Sequence, residues 1–215
     1  MPGPSTSQTA GSPATGTAAG PDLFGAIARQ CRETVALKER FFTENAPRIA
    51  VCAREMAGVF DRGGKLLVMG NGGSSCDAVH VSVEFMHPII EKRPALPCVS
   101  LTTDTAVLTA VGNDLDFSMV FAEQLRTLGK TGDMALGIST SGKSPNIQRA
   151  LAAAREMGLM TIGFAGKDGG RTGELCDHAF VVPSFSLPRI QETHQTLLHI
   201  LWDLVHLARG EEDVL

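Results

Sequence analysis

The stretch GNGGSSCDAVHVSVEF, residues 70–85, begins as loop chemistry and ends as helix chemistry. It follows KLLVMG, residues 65–70, a short apolar run closing on glycine, the pattern of a buried strand. A strand that turns through glycines directly into a helix is the opening half of a βαβ unit. Glycines let the backbone approach a ligand closely, and the following helix offers free N–H groups and a positive dipole end to an anion. The turn is not a Walker loop, because no Gly-Lys-Ser/Thr follows. Nor is it a G-x-G-x-x-G fingerprint, because Ser75 stands where the third glycine belongs. By itself such a loop is equally compatible with a tight turn.

Working outward, the same alternation repeats. PCVSLTT (97–103), DMALGIS (133–139), LMTIGFAG (159–166) and HAFVVPS (178–184) read as four further strands. Helical spacing covers 75–86, 146–156 with Pro145 at its first turn, and about 189–208. Upstream, Leu23, Ile27, Val35, Phe42, Ile49 and Met56 recur at helical spacing, and Pro47 is expected to divide that region into two helices. Strands alternating with helices predict an α/β fold with a five-stranded parallel sheet, N-terminal helices and a long C-terminal helix. In such sheets ligands sit beyond the carboxyl ends of the strands, which singles out the loops after the first and third strands.

The whole composition agrees with one domain of this kind. The chain has 215 residues, 43% hydrophobic and 20% charged, with a net charge of −4. No run of Lys and Arg suggests a nucleic-acid surface, and no apolar run is long enough to span a membrane. Five cysteines scattered singly, without CxxC spacing, fit a reduced cytoplasmic protein better than a disulfide framework. Residues 1–20 are nearly all small or polar and are read as a disordered tail. The domain is expected over 21–210, with a short C-terminal tail at 211–215.

Two sets of residues carry chemistry. The loop after the third strand, STSGKS (139–144), places four hydroxyls in six residues ahead of a helix: Ser139, Thr140, Ser141 and Ser144. One of them would suffice as a helix cap. A run of four suits a phosphate that stays bound and is not transferred. His80 and Glu84, four apart, share one helix face, where an ordinary surface pair is the plainer alternative. On the C-terminal helix, Ile190, Leu197, Leu198, Leu201 and Leu204 form an apolar stripe. His199 sits among apolar neighbours, Gln191 lies two turns earlier, and His194 and His206 are expected at the surface or an interface.

Four motifs in order, GNGGSSCDAVHVSVEF, LTTDTAVLTAVGND (101–114), GISTSGKSPNI (137–147) and RIQETHQTLLHI (189–200), resemble the SIS-domain phosphoheptose isomerases. The resemblance covers about residues 22–208. It implies a flavodoxin-like SIS fold and conversion of sedoheptulose 7-phosphate to D-glycero-D-manno-heptose 7-phosphate, for heptose biosynthesis. It implies a substrate-binding turn at Asn71, Gly72, Gly73 and Ser74, a substrate contact at Thr103 and Asp104, and a sugar-phosphate cradle at Ser139, Thr140, Ser141 and Ser144. A zinc site, one ion per subunit, is implied at His80, Glu84, Gln191 and His199. Glu84 and His199 match the acid/base pair, and Glu84 and Gln191 also match substrate contacts. The resemblance further implies a homotetramer with active sites at subunit interfaces. The chain departs from the commoner pattern at Cys76, Pro188 and the segment MHPIIEKRPALP (86–97). The alternatives are a non-catalytic SIS regulator that binds a sugar phosphate or a protein, and an isomerase of a shorter sugar phosphate. The set His80, Glu84, Gln191 and His199 favours catalysis over the first.

Overall fold

The computed structural model describes Gly3, residues 22–89 and residues 93–213. Apart from Gly3, the expected tail at 1–20 lies outside the described residues. Helix α1 spans Leu23–Asp61 and starts where the Asp22 carboxylate accepts the Gly25 N–H at 2.9 Å. Contrary to expectation, Pro47 does not divide it. A proline inside a helix costs about 3 kcal/mol, through its missing N–H and its ring. Beyond Pro47 the helix buries Ile49, Cys52, Ala53, Met56, Val59 and Phe60. Each large apolar side chain so buried contributes roughly 1.5–3 kcal/mol, so tertiary burial outweighs the local penalty.

Five parallel strands follow: β1 (Leu66–Gly70), β2 (Cys98–Ser100), β3 (Met134–Ser139), β4 (Met160–Gly166) and β5 (His178–Val182). Their spatial order is β2-β1-β3-β4-β5. The chain thus steps from β1 outward to β2, returns to the far side of β1 for β3, and continues to β5. The order reverses between β1 and β3, and that crevice is the switch point of a doubly wound sheet.

Alternation along the strands divides the core into two layers. Leu66 and Val68 pack with Met56 of α1, Phe85 of α2 (Gly73–Met86) and Leu197 of α7 (Leu187–Ala208). Leu67 and Met69 face the other way, onto Phe121 and Leu125 of α4 (Val120–Leu128) and Leu151 of α5 (Pro145–Glu156). Two helices in the β2-to-β3 connection were not foreseen, α3 (Thr105–Asp114) and α4. Helix α3 buries no residue fully and meets the core only through the half-buried Leu108 and Val111, a weak apolar trace. The short α6 (Thr172–Leu175) precedes β5. Strand β2 is shorter than its sequence pattern. It is an edge strand, and past Ser100 the chain curls into a turn where the Ser100 and Thr102 hydroxyls meet at 2.7 Å.

Candidate active site

The turn after β1 reaches φ +55° at Gly72, which a side chain would strain, and α2 begins at Gly73. A Cβ on Gly73 would lie 2.3 Å from Nε2 of Gln191, so the missing side chain is what lets α7 close on the turn. Ser74 is 3% exposed and its N–H donates to the Asn71 carbonyl at 3.0 Å, so it builds the turn and does not face outward. Asn71 is half-buried and exchanges two 2.9 Å hydrogen bonds with Asn146 at the start of α5. The loops after β1 and β3 are thereby joined across the switch point.

In the second loop, Ser144 occupies the N-cap position of α5 but makes no side-chain cap. Its hydroxyl meets that of Ser139 at 3.0 Å instead. The plain capping role considered for Ser144 is therefore not the one it plays. Ser141 accepts the Lys143 N–H at 3.2 Å, and Thr140 and Ser141 stay half-buried. Helix α2 also starts at a position without a side-chain cap. Two helix N-termini whose N-cap residues make no side-chain cap thus flank the crevice, and their positive dipole ends suit an anion. Thr103 and Asp104 lie further out. Asp104 accepts the Val107 N–H at 3.0 Å as the cap of α3, and Thr103 donates to the Ser100 carbonyl at 3.2 Å. This loop reaches α2 through the Thr102 hydroxyl, 3.5 Å from the Ser75 carbonyl.

Helices α2 and α7 run side by side from the crevice. Gly73 faces Gln191 at the top. Two turns down, Nε2 of His80 lies 3.1 Å from Oε1 of Glu84 and 3.3 Å from Nε2 of His199. One ring nitrogen carries either a proton or a lone pair, so it cannot donate to Glu84 and accept from His199 at the same time. A cation between them relieves that conflict. Tetrahedral zinc with bonds of about 2.0–2.1 Å sets its ligand atoms about 3.3 Å apart. One donor atom from each of the three residues lies within 4.8 Å of the others. Burial, and then His80, push the His199 imidazole below its ordinary pKa, with Glu84 opposing. That favours the neutral form a metal requires. Gln191, implied as the fourth ligand, sits eight residues before His199, about 12 Å along the helix axis.

The histidines of α7 are distributed differently from expectation. His199 is exposed, whereas His194 and His206 are fully buried. His194 donates to the Ala165 carbonyl at 2.9 Å, and burial pushes its pKa down to about 4. His206 contacts Glu211 at 2.5 Å and packs against Trp202. The signal was available: His194 continues the apolar stripe from Ile190 to Leu197, while Gln191, Gln195 and His199 form a separate ridge at spacing four. Sequence reasoning also missed Asp77. This residue is 4% exposed and has an unpartnered Oδ2. It borders a cavity of about 350 Å³ shared with Gly73, Cys76, Pro188 and Gln191. Burial raises the Asp77 carboxyl, while His80 and a hydrogen bond from Gln195 hold it down. A larger hollow, about 510 Å³, opens at the opposite end of the sheet beside Arg54, Arg62 and Gly132, away from these groups.

The SIS domain family matches residues 31–166. The phosphoheptose isomerase of Desulfovibrio desulfuricans is 48% identical over 178 residues, covering 83% of this chain and 85% of that protein. The chain belongs to the SIS-domain phosphoheptose isomerase family. The phosphoheptose isomerase of Thermodesulfovibrio yellowstonii is likewise 48% identical, over 83% of this chain and 89% of its own. Among solved structures, phosphoheptose isomerase GmhA from Neisseria gonorrhoeae superposes with a TM-score of 0.81 at 36% identity, covering 86% of this chain and 99% of that one. An RpiR transcription factor's sugar isomerase domain from Sphaerobacter thermophilus, at 15% identity and a TM-score of 0.59, shares the fold alone.

Proposed function

We propose that this chain is an aldose–ketose isomerase that converts sedoheptulose 7-phosphate to D-glycero-D-manno-heptose 7-phosphate. The observation that carries the reading is the convergence of His80, Glu84 and His199 just below a crevice of neutral hydroxyls and amides. Ser139, Thr140, Ser141 and Ser144, with the α5 N-terminus, hold the phosphate as a spectator. Asn71, Gly72 and Gly73 bring backbone and an amide to the sugar, with Ser74 bracing the turn. Thr103 and Asp104 contact it from the neighbouring loop, and Gln191 reaches it from α7.

Isomerisation moves a proton from C1 to C2 and redistributes protons on the two oxygens, through an enediol. Glu84 takes the carbon proton and returns it to C2, and His199 protonates and deprotonates oxygen. Each well-placed group of this kind typically contributes ~10²–10⁴-fold. His80, Glu84 and His199, with Gln191 as the further N/O donor, are the residues that would hold zinc. Bound there, zinc supplies a Lewis acid for the carbonyl and the developing oxyanion. The exposed apolar residues Leu23, Phe24, Ile27, Leu115 and Phe117 support assembly as a homotetramer with active sites at subunit interfaces. No helix among the described residues is long and apolar enough to cross a membrane, and the scattered free cysteines support a cytoplasmic location.

The test is turnover of sedoheptulose 7-phosphate by the purified protein, with chelator and with zinc restored. Turnover that falls and returns supports both the isomerase and its metal. Indifference to chelator leaves Glu84 and His199 as a metal-free pair. Folded protein without turnover returns the reading to a sugar-phosphate-binding regulator or to a shorter substrate.

A further inference from the structure

Asn146 stands outside every set of residues named for substrate or metal. It is 2% exposed, in the first turn of α5. Its Oδ1 accepts the Ile147 backbone N–H at 3.0 Å. A backbone N–H can only donate, so this contact decides which end of the Asn146 amide is oxygen. The decision then propagates. Nδ2 of Asn146 must face Oδ1 of Asn71, and Nδ2 of Asn71 must face Oδ1 of Asn146, each at 2.9 Å. Both lone pairs of the Asn146 oxygen are thereby filled. Asn71 keeps one N–H and one lone pair, in assigned positions, on a half-buried side chain at the mouth of the crevice.

We infer that Asn146 is a positioning residue for the isomerisation: through the reciprocal amide pair it fixes which edge of Asn71 donates to the bound sugar phosphate and which accepts. Without that pair, the Asn71 amide can turn end for end and offer a ligand the wrong polarity. The pair also sets the distance between the two loops that flank the switch point. The role rests on the reading of the crevice as the sugar-phosphate site.

A double-mutant cycle tests it. Asn146→Ala should lower kcat/KM for sedoheptulose 7-phosphate roughly tenfold or more, as loss of its two hydrogen bonds with Asn71 implies. In an Asn71→Ala background the same change should alter kcat/KM by less than about twofold. Effects that multiply, or a single variant with wild-type kinetics, would overturn the role, since the part of Asn146 that only supports the α5 N-terminus, its bond from the Ile147 N–H, is lost alike in both backgrounds. A second measurement needs no variant. In wild-type protein labelled with ¹⁵N-asparagine, the two side-chain protons of Asn71 should give separate signals, the one bonded to Asn146 exchanging slowly with solvent and the free one faster. Equally fast exchange of both Asn71 side-chain protons would sink the inference. This readout stands whether or not the wild type turns over the seven-carbon substrate, so failure of the isomerase reading and failure of the Asn146 role give different results.

Discussion

The switch-point crevice and the α2–α7 groove lie end to end, yet they are built from opposite materials. The crevice uses Asn71, Asn146, Ser139 and Ser144, neutral groups that hydrogen-bond to one another. The groove uses His80, Glu84 and His199, titratable groups that compete for one ring nitrogen of His80. The difference teaches how the work is divided. On the proposed reading, the neutral groups of the crevice hold the charged ligand without competing for its proton. Groups left in conflict are free to move a proton or take a metal.

That division can be broken most sharply at Glu84. Glu84→Gln is nearly isosteric and should lower kcat by roughly 10²–10⁴-fold while leaving the fold and sugar-phosphate binding intact. A kcat within a fewfold of wild type would remove Glu84 from the chemistry. Gln191→Ala sharpens the border between the regions, because Gln191 touches Gly73 at the crevice end while the resemblance assigns it to the metal. Zinc content measured by mass spectrometry should fall if it is a ligand, and KM alone should rise if it serves only the sugar. On the crevice side, Ser144→Ala should raise KM by about fivefold with kcat little changed, because a spectator phosphate is held equally in ground and transition states. A pure kcat effect would contradict the holding role.

A last effect is on stability, not turnover, and contrasts the buried histidine of α7 with the exposed one. His194 has a native pKa of about 4 against 6.5 for the free side chain. The unfolded chain therefore binds the extra proton first as pH falls. Stability should be lost between about pH 6.5 and 4, by about 3 kcal/mol at most from this residue. Urea titrations across that window should show a flatter pH dependence in His194→Gln. An unchanged slope would mean that the imidazole titrates normally.

The histidines also show what was legible and what was not. The apolar stripe of α7 was plain, but the histidines were sorted by their immediate neighbours. Leu198 and Ile200 made His199 look buried, whereas position around the helix put it on the ridge with Gln191 and Gln195. Pro47 misled for a related reason, since a local rule was applied where burial on both sides of the break decided the outcome. Helix α3 was missed because it buries no residue fully and touches the core only through Leu108 and Val111, whereas α4 carries a core stripe, Phe121 and Leu125, that could have been read.

By itself, then, the sequence determined the βαβ alternation, the five strands and the two loops rich in glycine and hydroxyls, and through its family resemblance it nominated the acid/base candidates. Those depend on period and on local chemistry, which one stretch of chain carries. Only the tertiary structure decided that the loops after β1 and β3 share one crevice, that Asn146 locks Asn71, and that His199 meets His80 across 119 positions of sequence. Strand order and helix facing arise from burying the whole chain at once, and no single segment encodes which other segment it will meet.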